Sequence, residues 1–162
     1  MNAATALTVR LKMHSLPINF SSEAFSTGEF ESPWSIKSGP VQAACAIPSE
    51  FGGYSGGFSP EDLFLQAVIN CFVGTFKVYA KASRINFTDL HVKGKLTVDQ
   101  GETKKVFMKT VVLDITIGGA ERPDRIETIV AKTMREGFIL NSVKSEIRHN
   151  LQVRTSSSDK LF

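Results

Sequence analysis

The chain has 162 residues, of which 42% are hydrophobic and 22% charged, with a net charge of +3. This composition is ordinary for one globular domain and excludes disordered, collagen-like and disulfide-rich classes. The lysines and arginines are scattered, so no basic arm for nucleic acid is predicted. We therefore expect a single domain over residues 1–162 with no nucleic-acid partner.

The first part of the chain predicts short strands joined by turns. Residues 5–13 alternate apolar and polar side chains, which indicates a half-buried strand. Further short strands are predicted near residues 17–21, at 34–37 and at 41–47, with a break at Gly39-Pro40. The first fifteen residues lack a basic stretch followed by an apolar run, so no secretory signal is predicted and a cytoplasmic location is expected.

A glycine-rich segment, residues 48–60, leads into the centre of the chain. Its Gly53-Tyr54-Ser55-Gly56-Gly57 formally matches G-x-S-x-G, the nucleophile elbow of hydrolases. That motif needs a helix that begins at the serine, whereas the helix start signal falls later, at Ser59-Pro60. The segment is therefore predicted to be a loop without hydrolase chemistry.

Residues 59–83 predict the long helix around which the chain is organised. Ser59 suits the N-cap, Pro60 the first helical position, and Asp62 lies three residues after the cap. Side chains from residue 63 to 82 are apolar on nearly every side, which is typical of a buried helix. Interior Gln66, Asn70 and Lys77 favour a protein core over a membrane span.

The second half predicts a hairpin, a helix and a last strand. Alternating residues 89–98 and 105–117 indicate two antiparallel strands, and residues 145–154 indicate a final one. An amphipathic helix begins at Pro123 and is expected to end at Gly137 in a left-handed conformation. The order predicts an α+β domain with a largely antiparallel sheet. One sheet covers only part of the central helix, so a homodimer with packed central helices is expected.

The two cysteines carry the possible chemistry. Cys45 and Cys71 form no disulfide framework or zinc spacing, and no metal or cofactor is predicted. Cys45 lies in an apolar strand and is interpreted as packing. Cys71, at the middle of the long helix, is either an inert core residue or a nucleophile whose thiolate is stabilised by a nearby cation.

The central helix resembles a known signature. Its S-P-E-D-L-F-L-Q-A-V-I-N-C-F is similar to that of the osmotically inducible protein C and organic hydroperoxide resistance (OsmC/Ohr) family, with Glu61 and Cys71 at the matching positions. Residues 138–144 resemble the family's second motif. The resemblance implies an intertwined homodimer with interface active sites. It also implies that Cys71 attacks an organic hydroperoxide and that a second cysteine and a thiol reductant complete the cycle.

The sequence departs from this pattern in two places. The position of the second, resolving cysteine is Gly137, and only Arg10, Lys12 and Lys37 are available for the activating arginine of the N-terminal region. One hypothesis is a thiol-dependent peroxidase in which an external thiol, or else Cys45, resolves oxidised Cys71. The alternative is a non-catalytic protein that binds a small apolar ligand on the same fold.

Glu61 also has two interpretations. It lies ten residues before Cys71, or about 15 Å along a straight helix, so the two side chains cannot touch within one helix. As a site residue, Glu61 has to orient a cation or reach the other subunit's cysteine. Otherwise it is a first-turn acid that favours the helix dipole.

Overall fold

A computed structural model describes residues 15–155, and the predicted strand at residues 5–13 lies outside them. The described chain is α+β, with two helices and two three-stranded sheets. The strands are β1 (Glu23–Phe25), β2 (Trp34–Ser38), β3 (Val41–Cys45), β4 (Asp89–Gln100), β5 (Val106–Ala120) and β6 (Glu146–Thr155), and the helices are α1 (Pro60–Ala82) and α2 (Pro123–Glu136).

The first sheet is an antiparallel meander in the order β1-β2-β3. Gly39, with a φ of 57°, makes the turn between β2 and β3, a conformation that favours glycine. The strand predicted near residues 17–21 was wrong, because β1 lies at Glu23–Phe25, opposite the residues from Ser35 to Lys37. Three residues are too few to give a periodic signal, so pairing with β2 sets the position of β1.

The glycine-rich loop folds back along β3. The Ala46 N–H donates to the Phe58 carbonyl at 3.0 Å, and the Phe58 N–H donates to the Ala44 carbonyl at 2.9 Å. A Cβ at Gly57 would lie 2.5 Å from the Ala44 backbone, so only glycine permits this approach. Ser55 is exposed in the loop and α1 begins at Pro60, so the arrangement lacks the strand-serine-helix geometry of a hydrolase elbow.

The predicted start of α1 is confirmed in detail. The Asp62 N–H donates to Ser59 Oγ at 3.0 Å and the Ser59 N–H donates to Asp62 Oδ2 at 2.9 Å, which makes a capping box with Pro60 in the first turn. By length and apolar composition alone, the helix could cross a membrane.

In the single chain α1 is buried on one face, in line with the expectation that one sheet covers only part of the helix. Its buried face consists of Val68, Phe72, Phe76, Tyr79 and Ala80. An exposed stripe runs along the opposite side and consists of Gln66, Asn70, Gly74, Lys77, Val78 and Lys81. Among the described residues, α2 and the sheet of β4, β5 and β6 pack against α1, and they cover only one face.

The second sheet forms the main core with α1 and α2. The predicted hairpin of β4 and β5 is confirmed as antiparallel, whereas β5 and β6 are parallel. The parallel pair arises because α2 connects the two strands as a crossover. The core contains Phe72, Phe76, Leu113, Ile117 and Ile126, all fully buried.

Gly137 ends α2 as expected, but not for the expected reason. Its φ of −61° and ψ of 128° are extended rather than left-handed. The position nevertheless restricts size, because a Cβ there would lie 2.6 Å from Leu140 Cδ1 and 3.1 Å from the Thr133 carbonyl oxygen. The extended residue turns the chain out of α2 and directs residues 138–142 against α1.

Candidate functional site

Cys71 lies at the border between the buried face of α1 and its exposed stripe. The thiol is free and partly exposed. The Ile139 N–H, from the turn after α2, donates to Cys71 Sγ at 3.3 Å. The structure thus brings the predicted nucleophile together with the segment that resembles the family's second motif, although 68 positions separate the two residues.

The turn that carries Ile139 is held by its own hydrogen bonds. The Asn141 N–H donates to the Gly137 carbonyl at 2.9 Å, and the Ser142 N–H donates to the Ile139 carbonyl at 3.0 Å. Ser142 Oγ donates to the Phe138 carbonyl at 2.6 Å. These bonds use carbonyl groups of the turn and leave the Ile139 N–H directed at the sulfur.

A cavity of about 320 Å³ opens beside the thiol. Its walls come from α1 and from the end of α2, and they include Cys71, Gly74, Val78, Tyr79, Glu136 and Phe138. None of the side chains that line it in the described part of the chain is basic. The cavity is large enough for a small, mostly apolar molecule next to the sulfur.

A tyrosine and a glutamate form a polar pair on one wall of this cavity. The Tyr79 hydroxyl donates to Glu136 Oε2 at 2.6 Å, and Lys132 Nζ lies 4.5 Å from the centre of the tyrosine ring. Burial first, and then the Glu136 carboxylate, raises the pKa of Tyr79 to about 12. The Tyr79 and Arg135 hydrogen bonds hold the pKa of Glu136 below its ordinary value, so it is an anion at neutral pH.

The structure does not bring Glu61 to Cys71. Glu61 lies in the first turn of α1, at the junction of two clefts of about 690 and 440 Å³ that Phe51, Val98 and Val106 also line. Its Oε2 is inaccessible to solvent and has no hydrogen-bond partner among the described residues. A buried carboxylate oxygen without a partner is costly, which distinguishes Glu61 from an ordinary exposed first-turn acid.

The remaining sequence candidates lie elsewhere. Cys45 ends β3 with 1% of its surface exposed, and burial raises the pKa of its thiol, as expected for a packing residue. Lys37 is exposed on β2 and pairs with Glu23 at 3.9 Å. Arg10 and Lys12 lie outside the described residues. Within residues 15–155, no group of three His, Cys, Asp or Glu side chains is placed to hold a metal ion.

Sequence analysis missed the Tyr79–Glu136 pair and the Ile139 N–H. Tyr79 carries a hydroxyl on the buried face of an apolar helix, and a buried hydroxyl needs a partner, so this residue was a usable signal. The Ile139 contact had none, because every residue except proline has a backbone N–H and only packing decides where it points.

Comparisons with known proteins identify the family. The profile of the family described as OsmC-like protein matches residues 52–152, which is more than half of the chain. The chain therefore belongs to the OsmC-like family. A protein of Acinetobacter baylyi, itself uncharacterised, is 28% identical over 135 residues, covering 83% of this chain and 90% of the relative.

Solved structures share the fold at low identity. An OsmC-like protein from Mycoplasma pneumoniae superposes with a TM-score of 0.74 at 15% identity, covering 86% of this chain and 99% of the other. An organic hydroperoxide resistance protein from Legionella pneumophila gives 0.66 at 21%, with 86% and 99% covered. An OsmC-like protein of unknown function from Vibrio cholerae gives 0.76 at 14%, with 84% and 100% covered.

Proposed function

We propose that the protein is a thiol-dependent peroxidase that reduces organic hydroperoxides through Cys71. The observation that carries this proposal is a partly exposed thiol beside a cavity of about 320 Å³, at the position that matches the family's helix signature. The cysteine sulfur attacks the peroxide, giving a sulfenic acid and releasing an alcohol. An external thiol then returns Cys71 to its reduced form, because the resolving position is Gly137 and Cys45 is buried. The chain would act as one OsmC-like domain in the cytoplasm.

The proposed enzyme is a homodimer. The clefts around Glu61 include apolar side chains that the described residues leave exposed, among them Phe51, Val106 and Phe107. Phe25 and Val41 of the first sheet are 72% and 67% exposed. Exposed apolar surface of this kind marks a site of protein–protein interaction. Light scattering at micromolar concentration is expected to give the mass of a dimer, and a monomer alone would contradict this proposal.

In the dimer, Glu61 is proposed as a site residue that acts across the interface. Its unpartnered Oε2 requires a hydrogen-bond donor or a cation, and the described residues of its own chain provide none. A basic side chain from the N-terminal region or from the second subunit would satisfy the carboxylate and could also stabilise the Cys71 thiolate.

The test is hydroperoxide consumption with dithiol and monothiol reductants, measured on the wild type, Cys71→Ser and Cys45→Ala. We expect Cys71→Ser to reduce turnover to the rate without protein, because the nucleophile is lost. Cys45→Ala is the matched control and should retain turnover. Equal activity of wild type and Cys71→Ser would overturn the proposal.

A second function is favoured by one observation. The cavity beside Cys71 lacks a basic lining residue among those described, and the resolving cysteine is replaced by Gly137. A non-catalytic protein that binds a small apolar ligand needs neither a basic residue beside the thiol nor a resolving cysteine. Two results together would favour this function. Cys71 would not react with an alkylating agent at neutral pH, and the protein would bind an apolar fluorescent probe saturably.

A further inference from the structure

We propose that oxidised Cys71 is held as a cyclic sulfenamide with the backbone nitrogen of Ile139 until an external thiol reduces it. This inference rests on the proposed peroxidase function and concerns the fate of the sulfenic acid in a site without a resolving cysteine. A sulfenic acid condenses with a thiol or with a backbone nitrogen, and otherwise oxidises further and irreversibly. In this chain the nitrogen is already in place.

The geometry of the contact supports the condensation. The Ile139 N–H is directed at Cys71 Sγ over 3.3 Å, so loss of the amide proton leaves the nitrogen electron pair pointing at the sulfur. The competing intramolecular partner, Cys45, has 1% of its surface exposed, lies in β3 and is not among the residues that line the Cys71 cavity. The amide is therefore the partner that the structure already places on the sulfur.

Bond formation requires the Ile139 end of the turn to move closer to α1. Residues 138 and 139 lie on the protein surface, with Phe138 67% and Ile139 37% exposed. Extended Gly137 separates the turn from the last residue of α2. A small shift of residues 138 and 139 towards α1 would shorten the distance between nitrogen and sulfur.

The step is balanced. The hydroperoxide oxidises the Cys71 thiol to the sulfenic acid and leaves as an alcohol. The Ile139 nitrogen then forms a bond to sulfur, the S–O bond breaks, and the hydroxyl group departs with the amide proton as water. One reducing thiol opens the S–N bond to a mixed disulfide and returns the proton to nitrogen, and a second thiol releases Cys71 and a disulfide.

The experiment uses Cys45→Ala, in which Cys71 is the only thiol of the chain. The protein is treated with one equivalent of cumene hydroperoxide, and its intact mass is measured without reductant. The sulfenamide predicts a loss of about 2 Da relative to the reduced protein, reversed by dithiothreitol. Tryptic digestion should give one linked species that joins the peptides of residues 38–77 and 136–144.

Ile139→Pro in the same background removes the amide proton, and Ile139→Ala retains it as the matched control. We expect the alanine variant to form the linked species, whereas the proline variant gains about 16 or 32 Da as sulfenic or sulfinic acid. In Cys45→Ala itself, an adduct with dimedone and no linked peptide would overturn the sulfenamide and leave the peroxidase function intact. A covalent dimer through Cys71 would also overturn it. If the mass did not change even with excess peroxide, the result would contradict the proposed peroxidase function.

Discussion

The two faces of α1 have different surroundings although they belong to one helix. The buried face places Phe72 and Phe76 in the core, where the sheet and α2 constrain every side chain. The exposed stripe carries polar and small residues, and Cys71 lies at its border beside a cavity. The two faces also differ in composition, because Gln66, Asn70 and Lys77 lie on the exposed side and Phe72 and Phe76 on the buried side. The comparison teaches that packing against the sheet and α2 defines the structural side of this helix, and that the cavity beside Cys71 lies where that packing ends.

The largest expected effect comes from deletion of a core side chain. Phe76 is fully buried and its ring lies 5.9 Å from that of Phe72 and 5.4 Å from that of Phe87. Phe76→Ala should lower the free energy of unfolding by about 3–5 kcal/mol, because it leaves a cavity. Urea denaturation at fixed protein concentration measures the change. If the free energy of unfolding fell by less than it does for a typical surface substitution, α1 would not pack as described.

The next largest effect on stability is expected at a glycine that faces the buried side of α1. Gly94 on β4 lies under α1, and a Cβ there would be 2.8 Å from Leu65 Cδ1 and 2.9 Å from Ile69 Cδ1. Gly94→Val should therefore cost about 1–3 kcal/mol through overpacking. Gly28→Ala is the control, since a Cβ there has no neighbour within 4 Å among the described residues. Equal free energies of unfolding for Gly94→Val and the wild type would contradict the close contact between α1 and the sheet.

Tyr79 lies on the buried face of α1 and lines the cavity beside Cys71, so its titration tests the packing of that wall. Its pKa of about 12 in the folded protein lies above the ordinary value of 10, so folding favours the protonated phenol. This contribution to stability is complete below pH 10 and is lost as the pH rises through about 12. In Tyr54→Phe, Tyr79 is the only tyrosine, and tyrosinate absorbance should show its ionisation near pH 12.

Glu136→Gln refines the same measurement. The amide removes the negative charge but leaves the ring buried, and burial is the largest cause of the raised pKa. The titration midpoint in Tyr54→Phe/Glu136→Gln should fall but stay above the ordinary value. A midpoint unchanged by this substitution would contradict the hydrogen bond of 2.6 Å between Tyr79 and Glu136.

The smallest effect is expected on the exposed stripe and has the opposite sign. Gly74 faces the cavity, and a Cβ there would meet nothing within 4 Å. Gly74→Ala should stabilise the protein by about 0.5–1 kcal/mol, because alanine has a higher helix propensity. The methyl group also narrows the cavity beside Cys71, so bulky hydroperoxides should lose more turnover than small ones. Thermal unfolding and steady-state kinetics measure the two effects.

Local sequence patterns predicted much of the fold. The start of α1 was predicted because Ser59, Pro60 and Asp62 satisfy one another within a single turn. The β4–β5 hairpin followed from alternating residues around one turn, and α2 from an apolar stripe at helical spacing. The end of α2 at Gly137 was also predicted, although its conformation was not. Each of these features depends on residues close together in the chain.

The candidate site was only half predictable. The helix signature singled out Cys71 and Glu61, and their roles remain predictions. It gave no indication that Glu136 would pair with Tyr79, since 57 positions separate them.

The sequence by itself determined where α1 begins, where it ends and which residue lies at its middle, because capping bonds and helical periodicity act over a few residues. Only the tertiary structure decided that one face of α1 is buried, that β6 runs parallel to β5, and that the Ile139 N–H meets Cys71 Sγ. Those outcomes depend on how α2 crosses back over the sheet, and such long-range packing leaves no periodic trace in the chain.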